Sequence, residues 1–235
     1  MGPPEAGKTC LQRALRHLPF THQQQTHGLE LHDILLPGCT LAHREVSLCL
    51  FSSPSVPLFL LTSCTLQTDL TLRVLDTGGQ PAYHFLKPVV MRDRAVVLVC
   101  FRGSCDPNTA HNLREDLDTL SSVMDGGVVL LVATQLDRIG VTPRELRDVD
   151  GDVSALSASH PQVQALRSLW EGQLVPLCSR FAASLRIDTR FLAVSSVEGF
   201  ELTLDLLRQR LRENVEQVSS SPSSFRIPFL ISKWK

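Results

Sequence analysis

The residues best suited to chemistry stand at the head of the chain. GPPEAGKT, residues 2–9, fits the phosphate-binding pattern G-x-x-x-x-G-K-[ST]. In such a loop Gly2 and Gly7 permit tight turning, so that backbone N–H groups face phosphate oxygens. Lys8 supplies a compact positive charge, and the Thr9 hydroxyl is a Mg²⁺ ligand. Glu5, Ala6 and Cys10 belong to the same candidate nucleotide contact. The next run, CLQRALRHL, has helical spacing, which predicts a helix over residues 8–18 with its N-terminal dipole aimed at the anion.

Three further groups follow in an order that suits a nucleotide switch. Thr26 comes seventeen residues after Thr9, a separation at which a threonine can close over Mg²⁺ and the γ-phosphate. A plain loop threonine before a strand is the other reading. DTGGQ, residues 76–80, ends an alternating run: Asp76 is placed to hold Mg²⁺ through water, Gly79 to approach the γ-phosphate by its N–H, and Gln80 to orient an attacking water. A simple turn explains the same five residues, because Asp and Gly favour turns. TQLD, residues 134–137, follows an apolar run. Asp137 there can accept from the two nitrogen donors on guanine's Watson–Crick edge, which adenine does not present, although an Asp capping a helix is the alternative. Ser195 and Ser196, in SSVEG, are placed to contact the base through backbone groups.

The elements that must position these groups alternate. Residues 29–36 and 70–76 read as strands, and residues 94–101 and 128–133 are near-continuous apolar runs of the kind covered on both faces. A helix capped at Asn108 or Thr109 lies between the last two. Two helical patterns occupy residues 143–184, broken near 151–160, then a last strand at 190–194 and a closing amphipathic helix at 199–218. Strand–helix alternation predicts an α/β fold with a mostly parallel sheet and helices on both faces.

Residues 46–68 carry no formal charge over twenty-three positions, yet five serines, three threonines, Pro54 and Pro57 oppose membrane insertion. The stretch reads as an insertion, about 40–68, of one or two short strands. At 235 residues with 43% hydrophobic and 20% charged content, the chain suits one globular domain. A net charge of −1 gives no reason to expect nucleic acid or an anionic membrane as partner. Seven cysteines without CxxC spacing read as small buried hydrophobes in a reducing, cytoplasmic setting.

GPPEAGKT, DTGGQ and TQLD in this order resemble the Ras-like P-loop GTPase superfamily, and DTGGQPAYHF with THGLEL resembles the Roc GTPase domain of Roco-type proteins. The resemblance spans residues 1–218, with 40–68 as a gap. It implies GTP/GDP and Mg²⁺ as cofactors. Gly7, Lys8 and Thr9 would bind phosphate and Mg²⁺, Asp76 and Gly79 would sense the γ-phosphate, and Gln80 would position water. Thr134, Gln135 and Asp137 would hold guanine, with Gln135 where many GTPases have lysine. The implied function is a GTP-binding switch with slow Mg-dependent hydrolysis in regulatory signalling. The alternative is a catalytically impaired or nucleotide-free scaffold, and an ATP-using enzyme stands third. Protein regulators or effectors are implied partners. In Roco proteins a COR dimerisation domain follows Roc, and residues 219–235 resemble a linker and the start of such a region, through which a homodimer would form.

The phosphate-loop pattern also expects a hydrophobic strand immediately upstream, where only Met1 stands, so a P-loop NTPase fold with its first strand missing is expected. In this superfamily that strand is central. Five buried apolar residues there would contribute roughly 8–15 kcal/mol, comparable with a domain's whole net stability of about 5–15 kcal/mol. The chain is then a fragment, an alternative product, or a fold in which another apolar run, such as residues 58–62, fills the vacancy.

Overall fold

The structure is a computed structural model that describes residues 7–21, 29–36, 47–51, 58–61, 70–77, 96–104, 106–124 and 127–220. Of the candidate site residues, Gly2, Glu5, Ala6, Thr26, Gly79 and Gln80 lie outside these segments.

Seven strands form one sheet: β1 (Leu29–Leu36), β2 (Ser47–Phe51), β3 (Leu58–Leu61), β4 (Leu70–Thr77), β5 (Val96–Arg102), β6 (Val128–Thr134) and β7 (Arg186–Asp188). Their spatial order is β1-β4-β3-β2-β5-β6-β7. Pairing is parallel from β2 through β5 and β6 to β7, and antiparallel from β2 through β3 and β4 to β1, so five strands run one way and β1 and β3 the other. Among the described residues no strand precedes the first helix. The central place between β4 and β5 is taken by β2 and β3, both from the uncharged insertion. Leu58 to Leu61, within the run 58–62 that is one of the alternatives for that place, lies there, and Ser47 to Phe51 pairs with it.

Helices cover both faces: α1 (Lys8–Leu15), α2 (Thr109–Val123), α3 (Pro143–Asp148), α4 (Pro161–Leu169), α5 (Val175–Ser179) and α6 (Glu201–Ser220). Side chains alternate across a strand, so β5 and β6 serve two cores. Val97, Val99, Val129, Leu131 and Ala133 pack with Leu113, Leu117, Leu120, Leu166 and Trp170. Val96, Leu98, Cys100, Val128, Leu130 and Val132 pack on the other face with Leu11 and Leu15 of α1 and Leu204, Leu207, Leu211 and Val215 of α6. This two-sided burial is why β5 and β6 are apolar up to their last residues, Arg102 and Thr134.

Several elements depart from sequence expectation. The first helix stops at Leu15, three residues short, because His17 takes the left-handed conformation (φ 56°) and closes the helix. Its N–H reaches Ala14 O at 3.0 Å and the Leu18 N–H reaches Arg13 O at 3.0 Å, a Schellman termination followed by Pro19. The strand expected at 190–194 contributes one bridge, Ala133 to Ala193, with Ala133 N–H bonded to Leu192 O and Val194 N–H to Ala133 O. The edge strand is β7 instead. The closing helix begins at Glu201, after Gly199 (φ 93°), and runs to Ser220, two residues past its expected end. Between α4 and α5 the chain forms a π-turn, Trp170–Leu174. Pro176 has no N–H to continue an α-helical ladder, and the wider turn absorbs that loss.

Candidate functional site

The site is assembled from loop ends at one edge of the parallel strands. Gly7 is the N-cap residue of α1 and is left-handed (φ 74°, ψ 15°), a conformation that glycine adopts without Cβ strain. Lys8 follows in the first turn and is 7% exposed, its stem sunk against the domain, while Thr9 and Cys10 are half-buried. The helix thus presents its N-terminal amides where the loop ends.

TQLD folds back onto that same glycine. A methyl group on Gly7 would stand 3.6 Å from Gln135 Nε2, 3.7 Å from Gln135 Cγ and 3.9 Å from Thr134 Oγ1. The approach depends on backbone geometry at the end of β6. Thr134 is 3% exposed; its hydroxyl donates to Phe101 O at 3.0 Å, and its carbonyl accepts from the Gly103 N–H at 2.8 Å. Gln135 is itself left-handed (φ 62°), strain that persists only where surroundings impose it, and the Leu136 N–H is tied to Val194 O at 3.1 Å. Residues 136–139 then turn as a short 3₁₀ helix carrying Asp137.

Asp137 is half-buried, and Ser195 holds it: the Ser195 hydroxyl donates to Asp137 Oδ1. Asp137 Oδ2 accepts no hydrogen bond from the described residues. A carboxylate has about four lone-pair sites, so one anchored by Ser195 retains capacity for two further donors. Ser195 is 1% exposed, its Oγ accepts from the Val197 N–H at 3.2 Å, and its own N–H points inward to Thr203 Oγ1 at 3.4 Å. Its amide is therefore committed within the fold, while its hydroxyl reaches Asp137. Ser196, next in the chain, is half-buried.

Thr203 is a residue that the sequence motifs did not point to. Fully buried on α6, it donates to Phe200 O at 2.8 Å while accepting from Ser195. Its only sequence signal is a polar residue on the apolar stripe of the closing helix. Beneath the site, Trp170 donates from its indole nitrogen to Thr189 O at 2.8 Å and packs on Phe101 and Phe191, with ring centres 5.6 and 5.1 Å away.

Asp76 lies one residue before the end of β4, opposite Glu30 of β1 in register. The second helix-loop feature near the site, Thr142 with Glu145, is a capping box that starts α3: Glu145 accepts from the Thr142 N–H and hydroxyl, and these bonds hold its carboxyl below the ordinary value. The described residues contain no cluster of three or more His, Cys, Asp or Glu placed to hold a metal ion, and no helix among them is long and apolar enough to cross a membrane.

No protein-family model matches the chain, and no curated protein sequence does. Among solved structures the chain is similar to Roco2 RocCORdC of Methanosarcina barkeri bound to GDP, at 14% identity and a TM-score of 0.50. The match covers 96% of this chain and 50% of that one, so the chain spans half the length of the structure it matches. The shared feature is the fold.

Proposed function

We propose that the chain is a guanine-nucleotide-binding domain that works as a switch, with slow Mg-dependent GTP hydrolysis. One observation carries the reading: TQLD, distant in sequence from the glycine loop, is folded against Gly7, and its carboxylate is held by Ser195. That proximity supports taking the helix end as the phosphate site and the Asp137 carboxylate as the acceptor for guanine's N–H edge. The similarity to a fold whose solved example holds GDP supports the same nucleotide.

In this reading the Gly7 loop and Lys8 bind the phosphates, Gln135 closes over the loop and Asp137 selects the base. Mg²⁺ suits the hydroxyl of Thr9 and the carboxylate of Asp76, both hard oxygen donors, and α1 packs against β4, the strand that carries Asp76. Thr26 is proposed as a further ligand. When bound, the ion offsets charge on the phosphates. Gly79 is proposed to sense the γ-phosphate and Gln80 to orient water. No arginine finger is identified in the sequence, so intrinsic turnover is slow. Regulators or effectors, a cytoplasmic setting and pairing of two copies through a COR-like region belong to the same proposal.

Titrating the chain with GDP, GTP and ATP, with and without Mg²⁺, tests it. Guanine nucleotides compete with each other and ATP does not, and Asp137→Asn weakens GDP binding selectively. Absence of binding by any nucleotide would replace the switch with the scaffold reading. Equal phosphate release by wild type and Gln80→Leu would remove Gln80 from the mechanism.

A further inference from the structure

We propose that Arg208 is a positioning residue that fixes α1, and with it the phosphate-binding end of that helix, to α6, so that displacement of α6 alters nucleotide retention. The nucleotide part rests on the function proposed above.

Helix α1 has eight residues, a length that is marginal in water without tertiary support. Its N-terminal end leads from Gly7 to Lys8 and Thr9. Its other end is held by Arg208, 194 residues away in sequence, whose Nη2 donates to Ala14 O at 3.2 Å. The same carbonyl already accepts the His17 N–H of the Schellman termination, so Arg208 occupies its second acceptor site. A guanidinium at a helix C-terminus also complements the negative end of the helix dipole.

The arrangement is committed. Arg208 is 7% exposed, its Nη1 pairs with Asp205 at 2.5 Å, and its buried Nε has no acceptor among the described residues. Losing Ala14 O would therefore leave a buried cation with one anchor, which the fold resists. Leu11 and Leu15 of α1 share a core with Leu207 and Leu211, one residue before and three residues after Arg208 on α6. A short rigid helix carries a shift at one end to the other, and α6 extends to Ser220, well past the clamp.

The full chain is compared as wild type, Arg208→Ala, Arg208→Lys and Arg190→Ala. Arg190 links β7 to α6 through Asp188 and Glu213, none of them on α1, and so gives a loss of stability without the clamp. Hydrogen exchange at the amides of residues 11–18 is measured without nucleotide, alongside urea unfolding and release of fluorescent GDP. Arg208→Ala accelerates exchange in α1 and GDP release by about tenfold beyond any change in Arg190→Ala at matched stability. Arg208→Lys, which keeps the charge but not the fork, falls between. The proposal is overturned where α1 exchange in Arg208→Ala and Arg208→Lys rises no more than in Arg190→Ala, or where it rises while GDP release is unchanged. Wild type that fails to bind GDP sinks the switch and the nucleotide half of the proposal together, while the exchange data still decide whether the clamp exists.

Discussion

Substituting Ser195 with alanine removes one hydroxyl that does two jobs, donating to Asp137 Oδ1 and accepting from Val197 N–H. Alanine fits the space, since it only deletes the oxygen from a side chain already 1% exposed. A hydrogen bond to a charged group contributes about 1.5–3 kcal/mol, which converts to roughly 10- to 150-fold in affinity if all of it serves to aim Asp137. The half-buried Val197 can exchange its lost acceptor for water, so this second loss falls on stability at the lower end, about 1 kcal/mol. Competition binding with GDP, GTP and ATP should show the loss for guanine nucleotides and little for any residual adenine binding. The decisive measurement is the double-mutant cycle with Asp137→Asn. Ser195 acts through the carboxylate, so adding Ser195→Ala to Asp137→Asn should weaken GDP binding far less than it does in wild type. Additive losses, or an unchanged GDP affinity in Ser195→Ala, would refute the proposed base-selecting role of this pair.

Other outcomes concern the scaffold. Asp188 is 6% exposed at its side chain; burial pushes its carboxyl up, and the bonds from Arg190 and Asn214 outweigh it, holding it below the ordinary value. Because the folded value is the lower one, its stabilisation is present above about pH 4 and is lost as pH falls through the folded value. Urea unfolding of Asp188→Asn should thus fall short of wild type at pH 7 and approach it in strong acid; a gap that stays constant with pH would exclude the ionic origin. Trp170→Ala removes the centre of a core against Phe101 and Phe191 and should cost about 3–5 kcal/mol by urea melts, and a loss under 1 kcal/mol would contradict that packing. Burial lifts the Cys178 thiol to about 11, so mapped alkylation at pH 8 should spare it in the native state and label it in urea. Native labelling at the rate of a free thiol would contradict its burial. Gly199→Ala meets Pro143 Cγ at 2.8 Å with φ 93° and should lower stability by about 1–3 kcal/mol in a thermal melt; an unchanged melt would show that the loop relaxes freely.

Local chemistry was legible in the order of residues. GPPEAGKT and TQLD point to phosphate and base by residue type and order, a role that belongs to the proposal, and the fold sets Thr134 and Gln135 beside Gly7. The apolar runs that became β5 and β6 announce burial on two faces, since a strand with one wet face must alternate. Residues 29–36 matched their predicted strand end to end because turn-forming residues bound that run. Weak local signals failed for a common reason. A helix-compatible run continues to Leu18, yet a left-handed His17 stops α1, and the tertiary bonds of residues 192–194 to Ala133 take the place of a full strand. Those endings depend on neighbours that periodicity cannot see.

Assembly across distance belonged to the tertiary structure alone. That β2 and β3 occupy the middle of the sheet follows from pairing partners, with β2 parallel to β5 and β3 antiparallel to β4. That Ser195 offers its hydroxyl to Asp137 and turns its amide to Thr203 depends on how α6 enters the fold. That Arg208 grips Ala14 depends on two helices meeting over one face of β5 and β6. Sequence spacing determines which groups a strand or helix can present, because that periodicity is local and steric. Which of those groups meet is decided by packing, because hydrogen bonds and ion pairs form between whatever side chains the closed core brings within reach.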